Sequence, residues 1–522
     1  MTTSAAADAH LGIDLGTSSV KVVLLSRQGA ELSQADASYV VHHPQPGWAE
    51  SAPLDWWRAT ASALRAATAK APQARPVSIG LSGQMHGVVA TRSDGTPVRD
   101  GILWADSRAR EQLETYRCLP PDARHRLANP PSPGMAGPIL GWLVRHERAV
   151  TAEMRWALQP KDWLRLQLTG EVHTDPSDAS ATLMYDARGD AWAADVVEAL
   201  GVDTEVLPPV LPSSASCGGF LSRTAADVLG LEADIPVAAG AGDTAAAALG
   251  SGLVLPGTAQ LTIGTGVQLV TPSNQPPVET ADPVTHYYRA ATETGHYRMA
   301  AVLNGGLALR WVCDTLDATW AELYAVAEQP PSADAPLFLP HLNGERTPYM
   351  DTSMRGAWTS LSPRHRRTDL LRSALEGVAF AAAEALTHSC RTLRRWTTSV
   401  SPAAVRRPRP GARCSPTCST SSSGPSRCPG PQDVVRRSWE LVRPVCWTSR
   451  RSWTWVRRQS PRSSAPTPQR HPGTATGEPG SETRSSTFGQ PVRRRASSRC
   501  DDVVTSSISA SAPQAHGAPP HK

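Results

Sequence analysis

The chain has 522 residues, enough for two or three domains, with 40% hydrophobic residues, 19% charged residues and a formal net charge of +5. The averages hide a boundary: residues 1–390 carry 29 Lys+Arg against 41 Asp+Glu, and residues 391–522 carry 23 against 6. With no apolar window of about 18 residues, no signal-peptide pattern in Met1–His10 and only scattered cysteines before the boundary (Cys118, Cys217, Cys313, Cys390), a membrane protein is excluded and a reduced, cytoplasmic enzyme is expected.

Leu11–Leu25 reads as strand, tight turn, strand, with Gln28-Gly29 as the next turn. The turn Gly16-Thr-Ser18 offers backbone N–H groups and hydroxyls to a phosphate, and Asp14 just before it could hold Mg²⁺. The same residues also suit an ordinary hairpin. Val77–Thr91 is strand, polar loop, strand. Gly83 and Gly87 frame Gln84, Met85 and His86, so the loop can press against a ligand, or His86 is a packed histidine. In Ile102–Arg108, which contains Trp104, the charged Asp106 and Arg108 form either a surface ion pair or polyol-binding groups.

Ile235–Gly250 predicts a short strand, a loop at Gly240-Ala-Gly242, then an Ala-rich helix opened by Asp243. Asp243 is either an N-cap, which satisfies orphan N–H groups, or a general base for a substrate hydroxyl. The roles conflict, because a capping carboxylate has a lowered pKa. Leu261–Val270 repeats the first pattern, with Gly264-Thr-Gly266 as the turn. Two such hairpins about 250 residues apart suggest related domains facing one nucleotide.

Taken together, these segments resemble the FGGY carbohydrate kinases, a branch of the actin-like ATPases, from about Leu11 to Leu386. Gln159-Pro-Lys-Asp-Trp-Leu164, Asp175-Pro-Ser-Asp-Ala-Ser180, Gly344-Glu-Arg-Thr-Pro348 and Leu375-Glu-Gly-Val-Ala-Phe380 add to the likeness. It implies an α/β fold of two actin-like, ribonuclease H-like ATPase domains facing a central cleft, at 11–250 and 255–388. The second domain would be incomplete.

The resemblance also implies roles. Asp243 would be the base. Met85 and His86 would contact the sugar, and Trp104 and Asp106 are expected to bind it as well. Gly16, Thr17, Ser18, Gly264, Thr265 and Gly266 would face the phosphates, and Asp14 would lie near Mg²⁺. ATP and Mg²⁺ are the cofactors implied. The Gly83–Gly87 piece resembles the branch acting on D-xylulose, which implies D-xylulose 5-phosphate as product; ribulose, gluconate or another polyol is the alternative. The partners expected are the sugar and ATP, with no membrane, and the sequence leaves room for a homodimer. Gly264-Thr-Gly-Val267 is one residue shorter than the family's usual turn, which leaves the pairing of hydroxyls with phosphates open.

The family pattern stops after the helix containing Leu370–Leu386. Residues 389–522 are rich in Arg, Pro and Ser, and hydrophobic periodicity ends there. Re-reading Pro402–Arg407 one base out of register gives Gly-Gly-Gly-Ser-Ser when third codon positions are GC-rich, as four lysines against 48 arginines suggest. That resembles the adenosine-cradling loop of the family, so a frameshift near Thr387–Cys390 is expected, with a disordered tail, apolar surface of the Leu370–Leu386 helix left exposed, and impaired activity. The competing reading is a non-catalytic binder whose basic tail holds nucleic acid. Nucleic acid is not the expected partner, because no recognisable fold accompanies the arginines. Cys414, Cys418 and His471 lack zinc spacing.

Overall fold

The computed structural model describes residues 7–213, 218–275, 283–328 and 334–389, and the backbone of Thr398–Ser399. Expectations for the remainder of 389–522, the frameshift and the tail included, lie outside the described residues.

The first lobe is built on β1 (Ala7–Leu15), β2 (Ser19–Ser26), β3 (Glu31–Ser38), helix α1 (Pro53–Lys70) and β4 (Ala74–Gly83). It continues through α2 (Pro160–Thr169), the single turn α3 (Pro176–Ala179), β5 (Ala241–Gly242) and α4 (Asp243–Gly250). Sheet order is β5-β4-β1-β2-β3, antiparallel from β1 to β3 and parallel across β1, β4 and β5. Alternation along β1 and β2 buries Leu11, Ile13, Leu15, Val20, Val22 and Leu24, each worth roughly 1.5–3 kcal/mol when removed from water. They share one core with α1 and α2, where Trp56 and Trp163 meet edge to face with centroids 6.1 Å apart. Pro53 and Pro160 begin their helices at a position where the missing N–H costs nothing.

The sequence placed a loop at Gly240-Ala-Gly242. The structure instead pairs Ala241 and Gly242 with Ser82 and Gly83 as β5. Gly240, at φ +86°, makes the kink that lets the chain leave its contact near Ile79 and rejoin the sheet.

The second lobe repeats the hairpin with β6 (Ala259–Ile263), β7 (Val267–Ser273), β8 (His286–Arg289) and β9 (His296–Val302). Helices α5 (Gly306–Thr315), α6 (Trp320–Ala327) and α7 (Arg367–Ser389) cover this sheet, and Thr398–Ser399 pairs parallel to β6. The order is β8-β9-β7-β6 followed by that last strand, so each lobe has a hairpin, a third antiparallel strand beyond it and a parallel neighbour on its other side. Strand β8 also ties the lobes together. Asn129 exchanges hydrogen bonds with the Tyr287 backbone at 2.9 and 3.1 Å, and the Arg289 amide donates to Ser180 Oγ at 2.9 Å.

One expectation is corrected in α7. Leu371, Leu375, Val378, Ala382 and Leu386 are buried against β7, β9, α5 and α6. Among the apolar residues of this helix only Phe380 is exposed, because the helix packs along the middle of the lobe rather than at its edge.

Candidate active site

The first turn follows directly from β1. Gly16 N–H donates to Ser19 O at 3.0 Å, which closes the hairpin. The Gly16 carbonyl accepts Gln84 Nε2 at 3.4 Å and the Tyr39 hydroxyl. Thr17 Oγ1 accepts the Trp104 indole N–H at 3.0 Å, so the phosphate-type turn and the exposed Trp104 are in contact. Ser18 is exposed. Asp14, one residue before the end of β1, accepts Ser82 Oγ through Oδ1 at 3.0 Å.

The loop after β4 is held tightly. Gln84 and Met85 are buried, and His86 sits at φ +74° with its amide donating to Gln159 Oε1 at 3.0 Å. His86 Nδ1 lies 2.8 Å from Ala181 O. A carbonyl can only accept, so Nδ1 carries the proton and Nε2 is left as an acceptor. Burial, joined by the charge of Arg346, outweighs that hydrogen bond and pushes the His86 pKa down to about 4. Behind it the Tyr288 ring lies 6.1 Å away and stacks on His286.

Asp243 is the first residue of α4, and Gly242 occupies the N-cap. The capping role is therefore not the one its carboxylate plays. Asp243 is exposed by surface area, yet the protein atoms crowded around its carboxyl reduce its hydration and raise its pKa to about 6. Hydrogen bonds from the Thr244 hydroxyl and amide oppose the rise, and the charge of Asp14 adds to it. An aspartate so poised is mostly ionised at neutral pH and still basic enough to accept a proton.

In the second lobe, the Gly264-Thr-Gly266 turn closes through Gly264 N–H to Gly266 O at 2.9 Å. Its carbonyls accept the amides that open α5: Gly305 and Leu307 donate to Thr265 O at 3.1 and 2.9 Å, and Gly306 donates to Gly264 O at 2.8 Å. A Cβ on Gly306 would stand 2.5 Å from Gly264 O, and one on Gly305 would stand 2.7 Å from the Gly266 carbonyl carbon. Glycine is required at both positions by this close backbone approach. Sequence reasoning missed Asn304-Gly305-Gly306, although paired glycines between a strand and an amphipathic helix are a usable signal.

The surface reading of Asp106 and Arg108 is corrected. Both side chains are buried, with Arg108 Nη2 2.8 Å from Asp106 Oδ2 and 2.5 Å from Glu50 Oε1. The guanidinium also lies 3.5 Å over the Trp48 ring. Asp106 further accepts the Ala49 and Arg108 amides at 2.7 and 2.8 Å, which leaves its oxygens little capacity for a polyol. It is part of the scaffold behind Trp104.

Among the described residues no three His, Cys, Asp or Glu side chains group as a ready-made metal site. Mg²⁺ commonly uses one or two carboxylates and takes its other ligands from substrate phosphates and water. Asp14, which engages Ser82 through one oxygen only, fits that pattern. No helix among the described residues is long and apolar enough to cross a membrane.

The chain matches the FGGY family of carbohydrate kinases over residues 9–250 for the N-terminal domain and 259–393 for the C-terminal domain. It is 32% identical to a xylulose kinase of Escherichia coli strain K12 over 386 residues, 73% of this chain and 79% of that one. It is also 32% identical to a glycerol kinase of Ralstonia nicotianae over 388 residues, covering 71% and 76%. The solved structure of a xyloylose kinase from Brucella ovis superposes with a TM-score of 0.70 at 34% identity, covering 75% of this chain and 82% of that one. Two actin-like lobes, each with its glycine turn, and these matches lead to one conclusion: the chain belongs to the FGGY family of carbohydrate kinases, phosphotransferases whose acceptor is an alcohol group.

Proposed function

We propose that this kinase transfers the γ-phosphate of ATP to the C5 hydroxyl of D-xylulose, giving D-xylulose 5-phosphate. The observation that carries the chemistry is Asp243, set free of the capping role and raised to a pKa of about 6 beside Asp14. In this reading Asp243 accepts the hydroxyl proton as the oxygen attacks. His86 offers Nε2 to a sugar hydroxyl while Met85 and Trp104 pack against the sugar. Gly16, Thr17 and Ser18 in one lobe, with Gly264, Thr265 and Gly266 in the other, give amides and hydroxyls to the phosphates. Asp14 would hold Mg²⁺, which when bound neutralises charge on the phosphate oxygens.

Support for xylulose comes from the Gly83-Gln-Met-His-Gly87 loop and the xylulose kinase relative. The glycerol kinase relative makes glycerol the competitor to test. A coupled assay of ATP turnover with D-xylulose, D-ribulose, gluconate and glycerol decides the matter. The highest kcat/KM is expected for D-xylulose, and a higher value for any of the others would assign the enzyme to that substrate instead.

A further inference from the structure

The turn that delivers Asp243 rests on a buried polar platform of Lys161, Asp162 and Arg165 from α2, Asp175 and Asp178 from the α3 region, and Ser213. Lys161 Nζ lies 2.5 Å from Asp162 Oδ1, 3.2 Å from Asp175 Oδ1 and 3.4 Å from Asp178 Oδ2, with all four side chains fully enclosed. Burial works against the lysine charge, but the three carboxylates outweigh it and hold its pKa above the ordinary value. Asp178 differs, because burial and then the charges of Asp162, Asp175 and Asp243 push its carboxyl well above the usual carboxylate range, while removing the lysine would leave the other carboxylates uncompensated.

The platform grips the backbone that leads to Asp243 at three points. The Ala239 carbonyl accepts Arg165 Nη1 at 3.0 Å and Lys161 Nζ at 3.4 Å. Gly240 N–H donates to Ser213 O at 3.3 Å. Gly242 N–H donates to Ser177 Oγ at 3.0 Å. The last contact is directional. Ser177 Oγ donates its one proton to Asp175 Oδ2 at 2.6 Å, so only its lone pairs can face Gly242. A Cβ on Gly242 would come within 2.8 Å of Met85 Cγ, so the N-cap of α4 has no side chain of its own to do this work.

We infer that Ser177 is a positioning residue for phosphoryl transfer: oriented by Asp175, its hydroxyl holds the Gly242 amide and so fixes where the first turn of α4 presents Asp243. The inference rests on the reading of Asp243 as the base. Ser213 supplies the internal control. Its Oγ donates to the same Asp175 oxygen at 2.6 Å, whereas the Gly242 amide donates to Ser177 Oγ.

The test compares Ser177→Ala, Ser213→Ala and Asp243→Asn in the full chain, by steady-state kinetics with sugar and ATP. Ser177→Ala is expected to lower kcat by about ten- to a hundredfold, the scale of a small misplacement of a reacting group, with KM for the sugar unchanged. Ser213→Ala keeps the backbone carbonyl that accepts from Gly240 and leaves the Ser177–Gly242 contact in place, so it is expected to lower kcat by a clearly smaller factor than Ser177→Ala. An unchanged kcat in Ser177→Ala, or equal losses in both serine variants, would overturn the positioning role while leaving the base assignment intact. Full activity in Asp243→Asn would overturn the base assignment and this inference with it. Should Ser177→Ala fail to fold, hydrogen exchange in the parent protein still decides: slow exchange of the Gly242 amide is expected, and exchange at the rate of an exposed amide would contradict the contact.

Discussion

Asp14 and Asp243 stand at the same end of one sheet, aligned through a single residue. Asp14 in β1 is in register with Ser82 of β4, and Ala241, two residues before Asp243, pairs with that same Ser82 from the other side. Parallel strands β1, β4 and β5 thus release the carboxylate proposed to hold Mg²⁺ and the carboxylate proposed to accept the proton together at their C-terminal ends, the edge where α/β sheets bind ligands. The charge of Asp14 contributes to the raised pKa of Asp243.

The pH profile follows from that shift. In the proposed role Asp243 acts deprotonated, so kcat/KM is expected to fall as pH drops through about 6. The sign for stability is opposite. A carboxylate whose folded pKa lies above its unfolded one favours the folded state most at low pH and loses that contribution as pH rises through about 6. Asp243→Asn is therefore expected to leave the thermal midpoint at pH 7 unchanged or raised, as a melting curve would show.

His86 is expected to act on the sugar alone. His86→Asn keeps a residue tolerant of the positive φ but removes the Nε2 acceptor. KM for the sugar should rise about tenfold, the equivalent of one hydrogen bond of about 1.4 kcal/mol, while KM for ATP stays put. A larger change in the ATP value would move His86 out of the sugar site.

Asp106 should behave as structure. Asp106→Ala removes one of the two carboxylates that pair with the buried Arg108 guanidinium, leaving it Glu50 alone, and breaking a buried pair costs about 3–5 kcal/mol. Denaturant unfolding should report that loss, with kcat per folded molecule retained at low temperature. A selective rise in KM for the sugar without destabilisation would restore Asp106 to the substrate site.

Gly306→Ala probes the second turn. The added methyl meets Gly264 O, and overpacking of this kind costs about 1–3 kcal/mol. The affected turn is the one proposed to face ATP, so KM for ATP should rise while KM for the sugar does not. Steady-state kinetics with each substrate varied in turn separates the two.

Much of this was legible in the sequence because the decisive signals are local. Alternation through Leu11, Ile13 and Leu15 fixes a half-buried strand, and Gly16-Thr-Ser18 and Gly264-Thr-Gly266 mark the two turns. What escaped depends on residues far apart in the chain. The Lys161 platform joins α2 to Asp175 and Ser213, and its motifs carry no role in the sequence because nothing local tells a buried carboxylate from a solvated one. Asp106 and Arg108 looked like a surface pair for the same reason, since Glu50 and Trp48, which bury them, lie more than 50 positions away. Strand β5 was hidden because two small residues after a kinked glycine carry no strand signal of their own.

The proposed chemistry depends above all on the proton acceptor. The most direct measurement is kcat of full-length Asp243→Asn with D-xylulose and saturating ATP, beside the parent enzyme and with folding checked by circular dichroism. A loss of about 10²–10⁴-fold is predicted, the range typical of removing a general base. A variant that remains folded and turns over within about tenfold of the parent would contradict the assignment of Asp243 as the catalytic base.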